Sequence, residues 1–183
     1  ADSAKPGSVS CADLEKAADW TSAETCWRSR LEVDRDSAEA WRGLGTSLLF
    51  LDRYDEALGA LDGAWRLDSE NATTAFLLAR VNGALEHKEA ALNWLETCAD
   101  LGGVFARVVD SSPHFASVRD DSVRLAAVRQ RLRPCGGPEY RQFDFWLGEW
   151  EVVSAARPDG PHAHNSIQTR HDGCVVEENY TTP

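Results

Sequence analysis

His162 and His164 are the residues of this chain whose types and spacing come nearest to chemistry. On a strand they share one face, and His171 and Cys174 follow within reach of a hairpin, which gathers the ligand types of a zinc site. The stretch PDGPHAH reads equally as a turn entering a strand, and no Asp or Glu is placed to act as a general base, so no metal is expected there. Cys98 and His114 have the types of a nucleophile and its base. Yet Cys98 takes the place of a small packing residue in a repeated pattern, and His87 and His114 fall in segments that link helices. GxSxG, GxxxxGKS/T, HExxH and a GxGxxG after a strand are all absent, and with them the hydrolase, phosphate-loop, metalloprotease and dinucleotide signatures. No cofactor is expected, and the chain reads as a non-enzymatic protein. NAT at 71 and NYT at 179 match the glycosylation sequon, which carries weight only in a eukaryotic secreted chain.

Charge and composition narrow the partners. The 183 residues are 43% hydrophobic with a formal net charge of -11, which suits one or two packed domains and repels phosphate backbones and anionic lipid. Nucleic acid is therefore not an expected partner. No apolar run approaches the ~18 residues of a membrane span, and the basic stretch Arg119 to Arg133 is interrupted by Asp120 and Asp121, so no membrane insertion is expected. The sequence opens Ala1-Asp2-Ser3 and contains no Met. That fits an exported mature chain of the bacterial periplasm or extracellular space, although a trimmed chain would look the same. The five cysteines form no CxxC. In an oxidising compartment Cys11 with Cys26 could staple a helical hairpin and Cys98 with Cys135 could tie the end of the helical region, leaving Cys174; the alternative is that each is a small buried hydrophobe.

The elements that must carry these residues divide sharply. Residues 1–10 read as a flexible lead-in, and Cys11 to about Arg133 is helical in pattern, with apolar residues three and four apart. Beyond RPCGGPE the chain becomes aromatic and β-branched, broken by RPDGP and HDG, so a boundary is expected near Gly136-Gly137 and strands after it. Shifting the helical part by 34 residues lays Leu44 on Leu78, Gly45 on Ala79, Ala57 on Ala91, Leu61 on Leu95 and Ala64 on Cys98. The opposite shift lays Ala57 on Ala23, Leu61 on Trp27 and Asp68 on Asp34. Such a period marks a helix-turn-helix repeat. Gly45 and Ala57 are expected where two antiparallel helices approach closest, with Trp41, Leu44 and Leu61 filling the space around that contact.

On Trp41, Leu44, Gly45 and the later Ala57, Leu61 and Ala64, residues 38–71 resemble the tetratricopeptide repeat family, with Ser69 where Pro is usual. Residues 72–105 match more weakly, Asn82 replacing an apolar residue, and residues 11–37 form a degenerate first unit. Residues 106–135 are expected to close the stack, with Asp120 or Asp121 capping a helix whose stripe is Leu125, Val128 and Leu132 and whose other face is basic. That basic face reads as a solvated cap or, alternatively, as an anion or acidic-peptide site. The expected fold is mainly α, a solenoid with closing helices, a linker at 136–139 and a short antiparallel β segment at 140–183.

The family resemblance implies a concave groove for a partner polypeptide. Its first helices would present Arg42, Thr46, Leu49 and Phe50, then Thr73, Phe76, Arg80 and Ala84: arginines for carboxylates or carbonyls and apolar anchors between them. Phe50 and Phe76 could instead be packing between repeats. FDFW and GEW are similar to the opening of a bacterial lipocalin-like barrel family, in which Phe143, Phe145, Trp146 and Trp150 would face a ligand and plug one end. Only three strands fit in the residues that remain, where closure takes about eight. The reading is thus an interaction scaffold, the alternative a carrier of small apolar ligands, with self-association through the β segment as a further option.

Overall fold

The computed structural model describes residues 9–119, 121–133, 144–153, 158–170 and 175–182. Short polar clusters start the helices. Ser10 opens α1 (Cys11–Lys16) with a reciprocal capping box to Asp13, and Asp19, Ser37, Asn71 and Asp121 cap α2 (Trp20–Val33), α3 (Ala38–Phe50), α5 (Ala72–Ala84) and α8 (Ser122–Arg131) through their side chains. Between them lie α4 (Tyr54–Leu67), α6 (Lys88–Asp100) and α7 (Ala106–Ser111), and a 3-10 helix follows at Pro113–Val118. Helices pair antiparallel and stack in series, α1 on α2, α3 on α4 and α5 on α6.

The spacing is stricter than the residue types suggest. Second helices begin at residues 20, 54, 88 and 122, and first helices end at 16, 50 and 84 with the 3-10 helix ending at 118. Ala18, Asp52 and Glu86, three unrelated residue types, occupy the same left-handed backbone position between the paired helices, at φ 56°, 57° and 61°. Each costs on the order of 1 kcal/mol for a non-glycine residue, a cost that the packed helices on either side offset.

The register continues beyond the three expected units into residues 106–131, where the expected closing helices form a further pair at the same spacing. Its first helix is split because Pro113 lacks an N–H and clashes with the preceding turn, so α7 stops at Ser111 and a 3-10 helix completes the span. That 3-10 helix packs on α5 at Gly83, where a Cβ would collide with the carbonyl oxygen of His114, and Ser117 donates to the Gly83 carbonyl at 3.3 Å. Asp121 caps α8, while Asp120 and the linker 136–139 lie outside the described residues. The basic face is not a free anion site. Arg124 bonds Glu96 at 2.6 Å and Glu89 at 3.0 Å on α6, Arg129 bonds Asp110 at 2.6 Å, and Arg131 bonds Asp100.

The core runs through the stack as two clusters that meet at α5. Leu77, Leu78 and Val81 join Trp27, Leu44, Leu48, Leu49 and Leu61, whereas Ala75, Phe76 and Ala79 join Leu92, Leu95, Phe115, Val118 and Leu132. Asn82, the polar exception, is buried and donates to the Leu78 carbonyl at 2.8 Å. Gly45 sits where α3 and α4 touch: a Cβ there would lie 2.5 Å from Leu61 Cγ and 3.3 Å from the Ala57 oxygen. Gly45→Ala is therefore expected to lose up to about 2 kcal/mol, overpacking of about 1–3 kcal/mol set against a helix-propensity gain of about 1 kcal/mol. Gly59→Ala, with nothing within 4 Å of the added carbon, should keep that gain. Urea midpoints of the two variants moving in the same direction would refute the close approach.

Cys11 and Cys26 form a disulfide that ties α1 to α2. The pairing of Cys98 with Cys135 is corrected: Cys98 is a free, fully buried thiol whose pKa burial pushes up to about 12, packed beneath Gly103. Cys135 and Cys174 lie outside the described residues.

The β segment is a three-stranded antiparallel meander, β1 (Gly148–Val152), β2 (Ala163–Arg170) and β3 (Val175–Thr181), in the order β1-β2-β3. Its register places Trp150 beside Asn165 and Tyr180, and Ile167 beside Gly148 and Glu178. Period-2 alternation then gives one face Trp150, Val152, Ala163, Ile167, Val176 and Tyr180 with Asn165 and Glu178 among them, and gives the other Glu149, Glu151, His164 and Glu177. The lipocalin-like expectation of a plugged barrel is not met among the described residues. Phe145 and Trp146 lie in a 3-10 turn ahead of β1 and are more than half exposed, as Trp150 is in part, because three strands enclose no interior; Phe143 lies outside the described residues.

Candidate functional site

The 34-residue register brings equivalent positions of successive first helices side by side. Thr46, Arg80 and His114 are one such set, and Trp20 and Tyr54, each the first residue of a second helix, are another. The two sets meet near the ends of α3 and α5. Trp20 stacks on Phe50 with ring centroids 4.1 Å apart and planes 10° from parallel. The Arg80 guanidinium lies 5.0 Å from the centre of the Phe50 ring and bonds His114 Nδ1 at 3.3 Å. Tyr54 meets the His114 ring edge-on at 5.8 Å and donates its hydroxyl proton to Asp52 at 2.7 Å.

These contacts fix protonation states. An arginine only donates, so His114 accepts through Nδ1 and carries its proton on Nε2. Burial, then the Arg80 charge, hold His114 below its usual pKa, and the hydrogen bond to Asp52 holds Tyr54 above its own. Both are neutral near pH 7. Burial also lowers the pKa of Arg80, which stays charged, and its Nε is buried without a hydrogen-bond partner.

The projected groove residues divide. Arg42, Thr46, Arg80 and Ala84 are half-buried, Thr73 and Phe50 exposed. Leu49 and Phe76 correct the projection: Leu49 is 0% exposed and Phe76 4%, stacked on Phe105 at 4.2 Å, because a first helix packs against both neighbours as well as its own partner and keeps only a narrow outward stripe. Thr46 turns its hydroxyl back to the Arg42 carbonyl at 2.9 Å. Trp20, Tyr54 and His114 were missed, although extending the period from Arg80 to His114 would have found the last of them.

His162 and His164 do not converge as ligands. Each takes its own carboxylate, His162 with Glu151 and His164 with Glu149, both at 2.6 Å. The first pair raises the pKa of His162. Among the described residues no group of three or more His, Cys, Asp or Glu side chains is placed to hold a metal, and His171 and Cys174 lie outside them. No helix among the described residues is long and apolar enough to cross a membrane.

No family model matches the chain, and no curated protein does. Solved structures do. PcrH of Pseudomonas aeruginosa, in complex with the chaperone binding region of PopD, superposes with a TM-score of 0.51 at 20% identity, over 66% of this chain and 86% of that one. The type III secretion translocator chaperone SycD of Yersinia enterocolitica superposes at 0.50 and 16% identity, over 65% of this chain and 78% of that one. The helical part has a tetratricopeptide-like fold. At these identities the likeness concerns the fold alone, and it lends no support to a lipocalin-like reading of the β segment.

Proposed function

We propose that the chain is a non-enzymatic scaffold which binds a segment of a partner polypeptide along the inner face of its stacked first helices, in an oxidising compartment outside the cytoplasm. The observation that carries the reading is the row formed by Trp20, Phe50, Arg80 and His114. Four units contribute one side chain each, and the row combines a partly exposed aromatic platform with a cation, the side-chain types that dominate binding energy at interfaces. Outer arginines are spent on internal pairs: Arg53 bonds Glu24 and Glu56, and Arg28 bonds Glu24. Peptides of PopD and of YopD are bound by structures of similar fold, which supports a polypeptide as the ligand. The Cys11–Cys26 disulfide supports the compartment.

A photo-reactive p-benzoylphenylalanine in place of Thr73, exposed on α5, should trap the partner polypeptide in the native host. The same probe in place of Asp55, exposed on α4, should not. The double variant Arg42→Glu, Arg80→Glu should abolish the adduct; equal yields from both probes, or an unchanged adduct in that variant, would end the groove reading.

A further inference from the structure

Arg80 differs from the ion-paired arginines of the stack. Arg28, Arg53, Arg124, Arg129 and Arg131 each reach a carboxylate. Among the described residues Arg80 reaches a neutral imidazole nitrogen and the face of Phe50 but no carboxylate, and its Nε stays buried without a partner. A half-buried guanidinium that meets no carboxylate has lost part of its hydration without a counter-charge, a cost that an anion reaching its exposed edge offsets. We infer that Arg80 reads a carboxylate side chain of the bound segment, and that the Trp20–Phe50 stack beside it reads an apolar side chain next to that carboxylate.

The surroundings limit how much negative charge the segment carries. Asp52 stands at the same place, held by Tyr54, and the whole chain carries a formal charge of -11. Phosphate groups or a run of acids would be repelled within the ~8 Å screening length of physiological salt, whereas one carboxylate set directly on a half-buried arginine gains a charge-assisted, fork-like pair. Phe50 covers one face of the guanidinium and His114 takes one amino group, so the approach is along the remaining edge. The occupant is thus a single Glu or Asp flanked by Leu, Phe or Trp. This assignment rests on the groove reading and narrows it.

The test uses the full oxidised chain and a displayed library of random 12-residue peptides, followed by a synthetic copy of the best binder and its Glu→Gln or Asp→Asn counterpart. Enriched peptides should share one acidic residue beside an apolar one. Exchanging acid for amide in the peptide should weaken binding to the wild-type chain about tenfold or more, and to Arg80→Gln less than about twofold. The first of these comparisons needs no protein variant, so misfolding of Arg80→Gln cannot mask it. If peptides bind and Phe50→Ala releases them, yet acid and amide forms bind alike, the carboxylate assignment falls and the groove stands. If no peptide is enriched, or Phe50→Ala releases none, both fall.

Discussion

Phe115→Ala is expected to lower the unfolding free energy by about 3–5 kcal/mol, the range for an aromatic ring removed from a packed interior. Phe115 is 0% exposed, lies 5.8 Å from Phe76, and belongs to the 3-10 helix that replaces the second half of a first helix. In a stacked array each unit draws stability from its neighbours, and a weakly coupled terminal unit frays on its own. The contacts here argue against fraying. Phe76 and Ala79 on α5 belong to the same cluster as Phe115, Val118 and Leu132, and Arg124 fastens α8 to α6. Urea unfolding followed by circular dichroism should therefore remain one transition with a lower midpoint. Amide exchange should accelerate in α5 as well as in α8. A full-sized midpoint with fast exchange confined to residues 106–131 would mean that the fourth unit is an appendage. Since His114 precedes Phe115, the same variant should also loosen the Arg80 contact.

Why the period is hard to see in the closing helices is a matter of what a period test compares. Leu44 and Leu78 face Ser112 one period on, and Gly45 and Ala79 face Pro113. The packing residues are lost while the backbone register survives in the Asp121 cap and the end of the 3-10 helix at Val118. The left-handed positions tell the same story, because Ala18, Asp52 and Glu86 share a conformation and no chemistry. Small-residue contacts were legible, since Gly45 and Ala57 have only one explanation in paired helices. The groove was half legible. A helical wheel assigns one buried face, but α3 and α5 each pack against a partner and both neighbours, and that is why Leu49 and Phe76 are interior while Phe50 and Arg80 are not.

Reduction of the Cys11–Cys26 disulfide is expected to cost about 3 kcal/mol, the chain-entropy value for a loop of about 15 residues, and to release α1. Six residues cannot sustain a helix alone. What holds α1 is the cross-link to α2, the buried Cys11 side chain, and the bond from Trp27 Nε1 to Glu15 at 2.8 Å. That last bond is weak support, because desolvation already raises the pKa of Glu15. The consequence reaches the site. Ala18 and Asp19 set the turn that starts α2, and Trp20, the next residue, forms the platform with Phe50. The urea midpoint of Cys11→Ser, Cys26→Ser should match that of reduced wild type and lie below that of oxidised wild type. Protection of the Ala17 and Asp19 amides, which bond to the Asp13 and Leu14 carbonyls, should disappear first. A reducing agent that leaves both midpoint and protection unchanged would show that burial alone seats α1, and the dependence of the Trp20 platform on the disulfide would then be lost.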